Sequence, residues 1–353
     1  MAYTTVDDPS AHFQVDKYTA DGSSDTVTFD GNSNLKPDLI WVKSIDTAYN
    51  AQFHDSSRGA TAGAMYTNLG DAEDSTYHVD NFLTDGYIND SVNTAIHGNN
   101  ENIMSYGWKA NGGTTSSNTN GSITSTVQAN TDAGFSIVQY TGTGTAATIG
   151  HGLGVAPDMY IVKNRDQTGT NWTIFHKDLT SNAYSLYLNS TAAQSNSVGY
   201  WNGTSPTSTV FSIKNTSGDV NTNTEDYVVY CFAEKQGYSK FGSYEGNGDA
   251  DGTFVYTGFK PAWLVVKGID STGPWYIVDN KRNPYNLTNK HIPTTNEGGE
   301  TSAATGLHVD LLSNGFKLRD DWSDTNEADE TFIYAAFAEQ SFVTSGGVPA
   351  TAH

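Results

Sequence analysis

The chain has 353 residues, of which 39 are acidic and 18 basic, so its formal net charge is −21. This charge weighs against binding to nucleic acid or to an anionic membrane, because both depend on Lys and Arg neutralising phosphate. The length favours two or three domains over a single one.

The composition is typical of a loop-rich β protein. Only 16% of the residues are charged, while 20 tyrosines, 15 phenylalanines and 7 tryptophans favour strands and 35 glycines favour turns. Apolar residues at helical spacing are rare, so we expect an all-β protein. The first residues show no export signal and no stretch approaches about 18 apolar residues, so we expect synthesis in a cytoplasm and no membrane span.

The first clear strand in the chain, residues 37–43, is a proline followed by an apolar run that a lysine closes. The same pattern returns at 157–163 and at 261–267. Such a run indicates a strand near a core, and a leading proline suits a strand start, where no ladder donor is needed. We expect the lysine that closes each run to reach solvent.

Two further features accompany each run. A tyrosine and a turn-like tract precede it, at Tyr18, Tyr140 and Tyr244. Two aromatic residues follow it, always 21 positions apart: Tyr87 and Trp108, Phe211 and Phe232, and Phe316 and Phe337. A constant interval indicates two strands on a fixed connection, so the sequence predicts three copies of one unit.

The strand and turn signals predict three tandem β-sandwich repeats of about 100 residues, of jelly-roll or concanavalin-like type. We expect the polar linker between the first two repeats to run extended over the surface. The predicted boundaries are repeat 1 over 1–110, the linker over 111–133, repeat 2 over 134–236, repeat 3 over 237–342 and a flexible tail over 343–353.

The repeated aromatic positions define the expected cores, and the loops 184–209 and 283–307 are where we expect any recognition. Cys231 lies in an apolar run and is expected to be buried and inert, and a single cysteine excludes an intramolecular disulfide. The aromatic residues expected in the cores are Trp41, Trp263, Phe211, Phe232, Phe316 and Phe337.

A charged pair recurs in two of the three copies. Asp55 and Arg58 follow the first proline at the spacing at which Asp279 and Arg282 follow the third, and the second copy has His176 at a similar place. The pair either lines a site or is an ion pair that braces the loop leaving a strand. We favour the second interpretation, because a catalytic pair need not recur at a framework position.

Three aromatic residues in the variable loops are the candidate ligand-binding residues. Tyr200, Trp201 and Trp322 lie among small polar residues and could stack on sugar rings. They could equally anchor their loops under the edge of a sandwich, and both interpretations stay open at this point.

The sequence selects no catalytic residue and no cofactor. It has no Gly-x-Ser-x-Gly elbow, no cysteine near a histidine and no phosphate-binding loop. Asp249 and Asp251 suggest calcium through alternating oxygens, but the further acid of an EF-hand loop is missing, and His151 has no ligand partner at a defined spacing. A carboxylate pair for glycoside hydrolysis needs only spatial closeness, which the spacing does not reveal.

Several short segments of the chain match the sequence motifs of a protein family, although none of these motifs encodes a reaction. They are residues 7–14, 108–114, 150–154, 237–244 and 254–259. Through them nearly the whole chain resembles a family of repeat-containing proteins of tailed bacteriophages of marine bacteria and cyanobacteria. Members of that family are usually described as virion structural or tail-fibre proteins of unassigned biochemical activity.

The resemblance implies a place, the phage particle, where the protein would sit after assembly in a bacterial cytoplasm. We therefore expect a non-enzymatic virion surface protein, first as a tail-fibre component that attaches to host-surface glycan. The alternatives are a capsid decoration protein and a polysaccharide depolymerase, which would need acidic residues clustered in a groove. Expected partners are other virion proteins and further copies of the chain, with a trimer as the arrangement considered. We expect no binding to nucleic acid and no membrane insertion.

Overall fold

Strands dominate the computed structural model of the chain. They hold 40% of the residues and helices hold 3%, so the prediction of an all-β, sandwich-type fold is confirmed. Within the described part, no helix is both long enough and apolar enough to cross a membrane. Most of the predicted tail, 343–353, lies outside that part. The described residues are 3–90, 93–215, 217–302, 306–344, 346, 347 and 349.

The strands fall into three units in chain order, each with one main sheet and at least one small sheet. Unit 1 contains the 3-10 turn Pro9–Ala11, β1 Phe13–Thr19, β2 Thr26–Val27, β3 Leu39–Ser44, β4 Gln52–Asp55, β5 Met65–Tyr66, β6 Val79–Phe82, β7 Tyr87–Asn89, α1 Thr94–His97 and β8 Asn102–Trp108. Unit 2 contains β9 Ser116–Asn118, β10 Ser125–Asn130, β11 Phe135–Thr141, β12 Ala147–Gly150, β13 Met159–Asn164, β14 Thr173–His176, β15 Leu186–Tyr187, β16 Val210–Ile213 and β17 Asp226–Phe232. Unit 3 contains β18 Ser239–Glu245, β19 Phe254–Tyr256, β20 Phe259–Gly268, β21 Tyr276–Asp279, β22 Lys290–Pro293, β23 Thr301–Ser302, β24 Val309–Leu312, β25 Gly315–Leu318, α2 Ser323–Asn326 and β26 Thr331–Ser341.

The three main sheets share one strand order. It is β1-β8-β3-β4-β5 in unit 1, β11-β17-β13-β14-β15 in unit 2 and β18-β26-β20-β21-β22 in unit 3. The opening strand of each unit therefore lies beside its closing strand, and the closing strand lies beside the strand with the apolar run. All these neighbours pair antiparallel.

A small sheet covers one face of each main sheet. The small sheets are β2-β7-β6, β12-β16 and β19-β25-β24. The constant 21-residue interval of the sequence joins the small sheet to the main sheet, as from Tyr87 in β7 to Trp108 in β8. The fixed connection that the sequence predicts is therefore the crossing from one layer of the sandwich to the other.

The apolar runs are buried on both faces, because successive side chains of a strand point to opposite sides of the sheet. In β3, Ile40 and Val42 pack in the sandwich of their own unit. Leu39 and Trp41 of the same strand point the other way, into a core that contains residues of all three units. The same alternation holds in β13 and β20.

This shared core joins the units through their aromatic rings. The Trp108 ring of unit 1 lies 5.7 Å from the Trp263 ring of unit 3 and 6.3 Å from the Phe232 ring of unit 2, both edge to face. Phe13 of unit 1 and Phe337 of unit 3 have ring centroids 4.9 Å apart. The three main sheets thus enclose one hydrophobic core in addition to the three sandwich cores.

The expected core aromatics are buried, as the sequence predicts. Cys231 is also fully buried in unit 2, and burial raises the pKa of its thiol well above the ordinary value, which leaves it unreactive. The buried aromatics are Trp41, Trp263, Phe232 and Phe337 in the shared core, Phe211 in the unit 2 sandwich and Phe316 in the unit 3 sandwich.

The segment 111–133 is not a linker that runs extended over the surface. It forms the hairpin β9-β10, and β10 pairs with β11 so that unit 2 gains two strands. Val127 and Gln128 of β10 are buried. The many Ser, Thr and Asn residues of this segment suggested a loop, but at a sheet edge the ladder satisfies the backbone whatever the side chains are.

The lysines that close the apolar runs do not reach solvent, contrary to the expectation from the sequence. Lys43, Lys163 and Lys267 are each at most 2% exposed. Each turns its ammonium group back onto the loop that follows its strand, as where Lys163 Nζ donates to the carbonyl of Thr170 at 3.0 Å and to its hydroxyl at 2.9 Å. Burial lowers the pKa of all three to about 8.

Candidate functional site

The two predicted ion pairs lie at equivalent positions of units 1 and 3. Asp55 and Arg58 are separated by 2.6 Å, as are Asp279 and Arg282, and all four side chains are fully buried. Each Asp also accepts the backbone N–H of its Arg, so the pair fixes the turn that leaves β4 or β21. The pairs lie inside the molecule and line no open site.

Each pair also receives a hydrogen bond from another unit. Tyr230 of unit 2 donates to Oδ2 of Asp55 at 2.8 Å, and Tyr106 of unit 1 donates to Oδ2 of Asp279 at 3.0 Å. A buried carboxylate needs such partners, since its desolvation is costly. The pairs therefore join unit 2 to unit 1, and unit 1 to unit 3.

His176 occupies the equivalent position of unit 2 and joins it to unit 3. Its Nδ1 accepts the N–H of Asp178 at 3.2 Å, and its Nε2 lies 3.3 Å from the backbone oxygen of Tyr334. Burial lowers the pKa of His176 to about 3, so the ring is neutral and Nε2 carries the proton. The three contacts close the units into a ring.

The junction between units 1 and 3 contains an open groove of about 230 Å³. Its floor is apolar, from Phe13, Ala262 and Ala338, and its walls are polar. The wall residues are Ser10, Gln14, Asp30, Gly31 and Asn32 from unit 1, and Asn280, Lys281, Glu339 and Gln340 from unit 3.

Charged groups face one another across the groove. Lys281 Nζ of unit 3 lies 2.6 and 2.7 Å from the two carboxylate oxygens of Asp30 in unit 1. Deeper in the groove, Glu339 accepts hydrogen bonds from Lys260 Nζ and Asn280 Nδ2, both at 2.8 Å. The walls therefore offer donors and acceptors within one small volume.

Asn280 supplies the unsatisfied group of the groove. Its Oδ1 atom is shielded from solvent and accepts no hydrogen bond within the described structure. Buried acceptors almost always have a donor, so a small rotation of the Asn280 amide would let this oxygen accept a hydrogen bond from a ligand hydroxyl or N–H in the groove.

Asp16, on β1 beside the groove, is the titrating group of this region. Burial and the neighbouring charge of Asp30 raise its pKa to about 6, although Lys281 acts in the opposite direction. General acid catalysis by a carboxyl group uses a pKa raised in this way.

Protein side chains fill the two equivalent junctions. Between units 1 and 2, Gln128 from the β9-β10 hairpin donates to Ser56 Oγ at 3.0 Å and to Ser57 Oγ at 2.7 Å. Ser56 and Ser57 hold the positions that Asn280 and Lys281 hold in unit 3. Among the described residues, none fills the groove in this way.

A salt-bridge network fills the junction between units 2 and 3. Lys177, at the position of Asn280, lies 3.6 Å from Glu234 and 3.7 Å from Asp158. Lys240, at the position of Gln14, lies 2.6 Å from Glu234.

Two of the three candidate sugar-stacking residues are core residues. Tyr200 is 3% exposed and Trp201 is fully buried. Trp201 Nε1 donates to the carbonyl of Tyr184 at 3.1 Å, and the Tyr200 hydroxyl donates to Asp219 at 2.5 Å. They anchor the loop 184–209 and leave no face for a ligand, which corrects the stacking interpretation.

The third candidate, Trp322, is half-buried in unit 3, so the structure does not bring the three aromatics together. Its ring packs 4.8 Å from the ring of Tyr276 and 5.4 Å from that of His291. Only part of Trp322 faces solvent.

The residues considered for metal binding already have protein partners. Asp251 lies 2.9 Å from Lys317 and 3.5 Å from Arg319, so protein cations neutralise it, and Asp249 caps a turn by accepting the N–H of Asp251. His151 is buried, accepts the N–H of Leu153 at 3.2 Å and lies 3.1 Å from the carbonyl of Thr207.

Sequence reasoning missed the groove because its two walls lie about 250 positions apart in the chain. A signal was nevertheless present in the aligned repeats. Asn280 and Lys281 align with Ser56 and Ser57, yet the sequence contains no second segment like 111–133 to cover them.

Comparison with known proteins gives a family and no relative of established structure or activity. No curated protein and no solved structure matches the chain. A family model described as a domain of unknown function, DUF7483, matches residues 8–341. Because this match spans nearly the whole chain, the protein belongs to the DUF7483 family.

Proposed function

We propose that the chain is a non-enzymatic attachment protein on the surface of a tailed bacteriophage particle, and that the groove between units 1 and 3 binds a saccharide of the host surface. The observation that carries the proposal is the groove itself. It is open at a junction that no described side chain fills, and the side-chain oxygen of Asn280 there accepts no hydrogen bond from the described residues.

The chemistry of the walls favours a saccharide. Sugar hydroxyls donate and accept hydrogen bonds, and the groove provides an acceptor in Asn280, a donor in Lys281 and carboxylate acceptors in Asp30 and Glu339. The net charge of −21 disfavours a polyanionic chain, so we expect a neutral or basic sugar.

The particle-surface part of the proposal rests on the sequence resemblance and on the architecture. Three units locked around a shared core make a rigid scaffold, and rigid scaffolds commonly display binding loops and clefts. Capsid decoration remains the alternative placement, and labelling of intact particles with an antibody against the chain separates tail from shell.

One observation favours hydrolysis as a second candidate function. Asp16, with its pKa raised to about 6, lies beside the groove whose walls carry Asp30 and Glu339. Glycosidases use a protonated acid and an ionised carboxylate in this way. A depolymerase would release soluble reducing ends from polysaccharide, whereas an attachment protein would not.

The test is binding of the full chain to a panel of purified bacterial polysaccharides. The replacement Asn280→Ala is expected to weaken binding roughly tenfold, the effect of one lost hydrogen bond. The matched control is Lys177→Ala at the equivalent position of unit 2, which is expected to leave binding unchanged. Equal binding by the two variants would contradict the groove as the site, and release of reducing ends by the wild type would contradict a non-enzymatic role.

A further inference from the structure

We propose that His78, Asp80 and Asp90 of unit 1 form a binding site for a divalent transition-metal ion such as Zn²⁺. His78 and Asp80 lie on either side of Val79 at the start of β6, and Asp90 directly follows β7. Because β6 and β7 pair with Val79 opposite Asn89, the three side chains meet at one end of the small sheet.

The donor atoms surround a gap and do not bond one another. His78 Nδ1 lies 3.7 Å from Asp80 Oδ1, and His78 Nε2 lies 3.7 Å from Asp90 Oδ2, both too far for a hydrogen bond. His78 Nδ1 is shielded from solvent and makes no hydrogen bond in the described structure. One donor atom from each residue can be chosen so that all three lie within 4.8 Å of one another.

The two 3.7 Å distances start from different ring nitrogens, so an ion between the three side chains would bind one nitrogen of His78 together with one oxygen of each Asp. Zinc binds histidine nitrogen and carboxylate oxygen at about 2.0–2.2 Å, so small side-chain rotations bring the three donors into range. Asp90 is nearly buried, with its side chain 8% exposed, whereas Asp80 is 45% exposed. The site therefore has a fixed inner ligand and an outer ligand open to entering ions.

Unit 3 contains the same local sequence, and there an arginine side chain supplies the positive charge. The residues His-Val-Asp recur at 308–310, and β24 pairs with β25 so that Val309 lies opposite Leu318, as Val79 lies opposite Asn89. Arg319 therefore stands where Asp90 stands in unit 1, and its Nε lies 3.3 Å from Asp310 Oδ2.

Unit 1 thus has the carboxylate of Asp90 where unit 3 has the guanidinium of Arg319. This position lies near a second carboxylate, that of Asp80. The exchange of Arg for Asp removes one positive charge and adds a negative one at the same place. A bound divalent cation restores the balance that Arg319 provides in unit 3, and the acidic protein attracts cations to it.

A neighbouring serine orients the outer ligand. Ser24 Oγ donates to the carbonyl of Asn89 at 2.7 Å and lies 3.3 Å from Asp80 Oδ2, which leaves Asp80 Oδ1 on the histidine side. Such outer partners tune metal affinity. One imidazole with two carboxylates suits Zn²⁺ and its neighbours better than Ca²⁺, which prefers six to eight oxygens.

The experiment is calorimetric titration of the metal-free full chain with ZnCl₂ and, separately, with CaCl₂, near neutral pH, because protons compete with metal ions for histidine and carboxylate ligands. The proposal expects one tight zinc site per chain. The replacement Asp90→Asn should weaken it by at least about tenfold, and His78→Gln likewise. Binding of calcium in preference to zinc would overturn the assignment.

Two further variants keep the test decisive. Asp90→Arg copies unit 3, so it should abolish zinc binding while the metal-free protein unfolds at the same or a higher temperature. His308→Gln, at the equivalent position of unit 3, should leave zinc binding unchanged. No tight site in the wild type, or one that survives Asp90→Arg, would overturn the proposal.

Discussion

The hydroxyl of Tyr230 donates a hydrogen bond to Asp55 at 2.8 Å, although 175 positions separate the two residues. The bond is buried and crosses from unit 2 to unit 1. Tyr106 and Asp279 make the same contact between units 1 and 3. The units are thus joined by specific polar contacts at the margin of an aromatic core, and such contacts fix one arrangement of the three sheets.

Removal of the Tyr230 hydroxyl should therefore destabilise the whole protein. The replacement Tyr230→Phe leaves a buried carboxylate with one partner fewer, and we expect a loss of about 1–3 kcal/mol in the free energy of unfolding. Urea denaturation measures it. Tyr160→Phe is the matched control, because the Tyr160 hydroxyl is buried without a hydrogen bond in the described structure. An equal loss in both variants would contradict the role of the Asp55 contact.

The buried lysines should make stability depend on pH in the alkaline range. Their pKa falls from 10.5 in the unfolded chain to about 8 in the folded one, so the unfolded chain binds more protons between these values. Stability should therefore rise with pH above about 8, by at most about 1.4 kcal/mol per pH unit for each lysine.

Lys163→Met tests this by removing the charge and keeping most of the volume. We expect a smaller rise in the free energy of unfolding between about pH 7.5 and pH 9.5, below the range in which tyrosines titrate. Lys267→Met should give the same change, since the two positions are equivalent. Slopes equal to that of the wild type would show that the lysines are not desolvated.

Buried histidines should make the protein sensitive to acid. Burial lowers the pKa of His54 and His176 to about 3, so below about pH 6.5 the unfolded chain takes up protons that the folded chain excludes. Stability should fall as the pH drops through this window. His176→Asn should lose stability at pH 7, because the contact with Tyr334 is lost, but its stability should fall less steeply with acid. Parallel pH profiles from urea unfolding would contradict this account.

The hairpin that fills the junction between units 1 and 2 should contribute to stability through one side chain. Gln128 Nε2 binds Ser56 and Ser57, and its Oε1 accepts the N–H groups of Asn111 and Gly113. Gln128→Ala should lower the free energy of unfolding by about 1–3 kcal/mol and make the hairpin more susceptible to proteolysis. Urea denaturation measures the loss of stability, and limited proteolysis followed by mass spectrometry measures cleavage in the hairpin. Cleavage no faster than in the wild type would contradict the hairpin's role.

The sequence predicts the strands and their repetition because period and spacing are local properties. The run from Leu39 to Val42 shows that both faces of its strand are buried. What covers the second face cannot be read from it, because Trp41 packs against residues more than 200 positions away. The shared core is therefore a tertiary feature that appears only in the structure.

The lysine orientation and the groove were not predicted, for related reasons. A lysine at a strand end usually reaches water, and the carbonyl partners of Lys43 come partly from Glu297 in another unit. Asn280 has nothing unusual in its local sequence, and its unsatisfied oxygen results from the absence of a hairpin that unit 2 supplies at the equivalent junction. The ion pairs Asp55–Arg58 and Asp279–Arg282, in contrast, are local contacts and could be predicted from spacing.

The central claim is that the three units enclose one hydrophobic core and hold the groove between units 1 and 3 in a fixed shape. Differential scanning calorimetry of the full chain tests it most directly. We predict a single transition in which the calorimetric and van't Hoff enthalpies agree, because no unit can lose its shared face alone. Two or three separate transitions, each with the enthalpy of one unit, would contradict the claim.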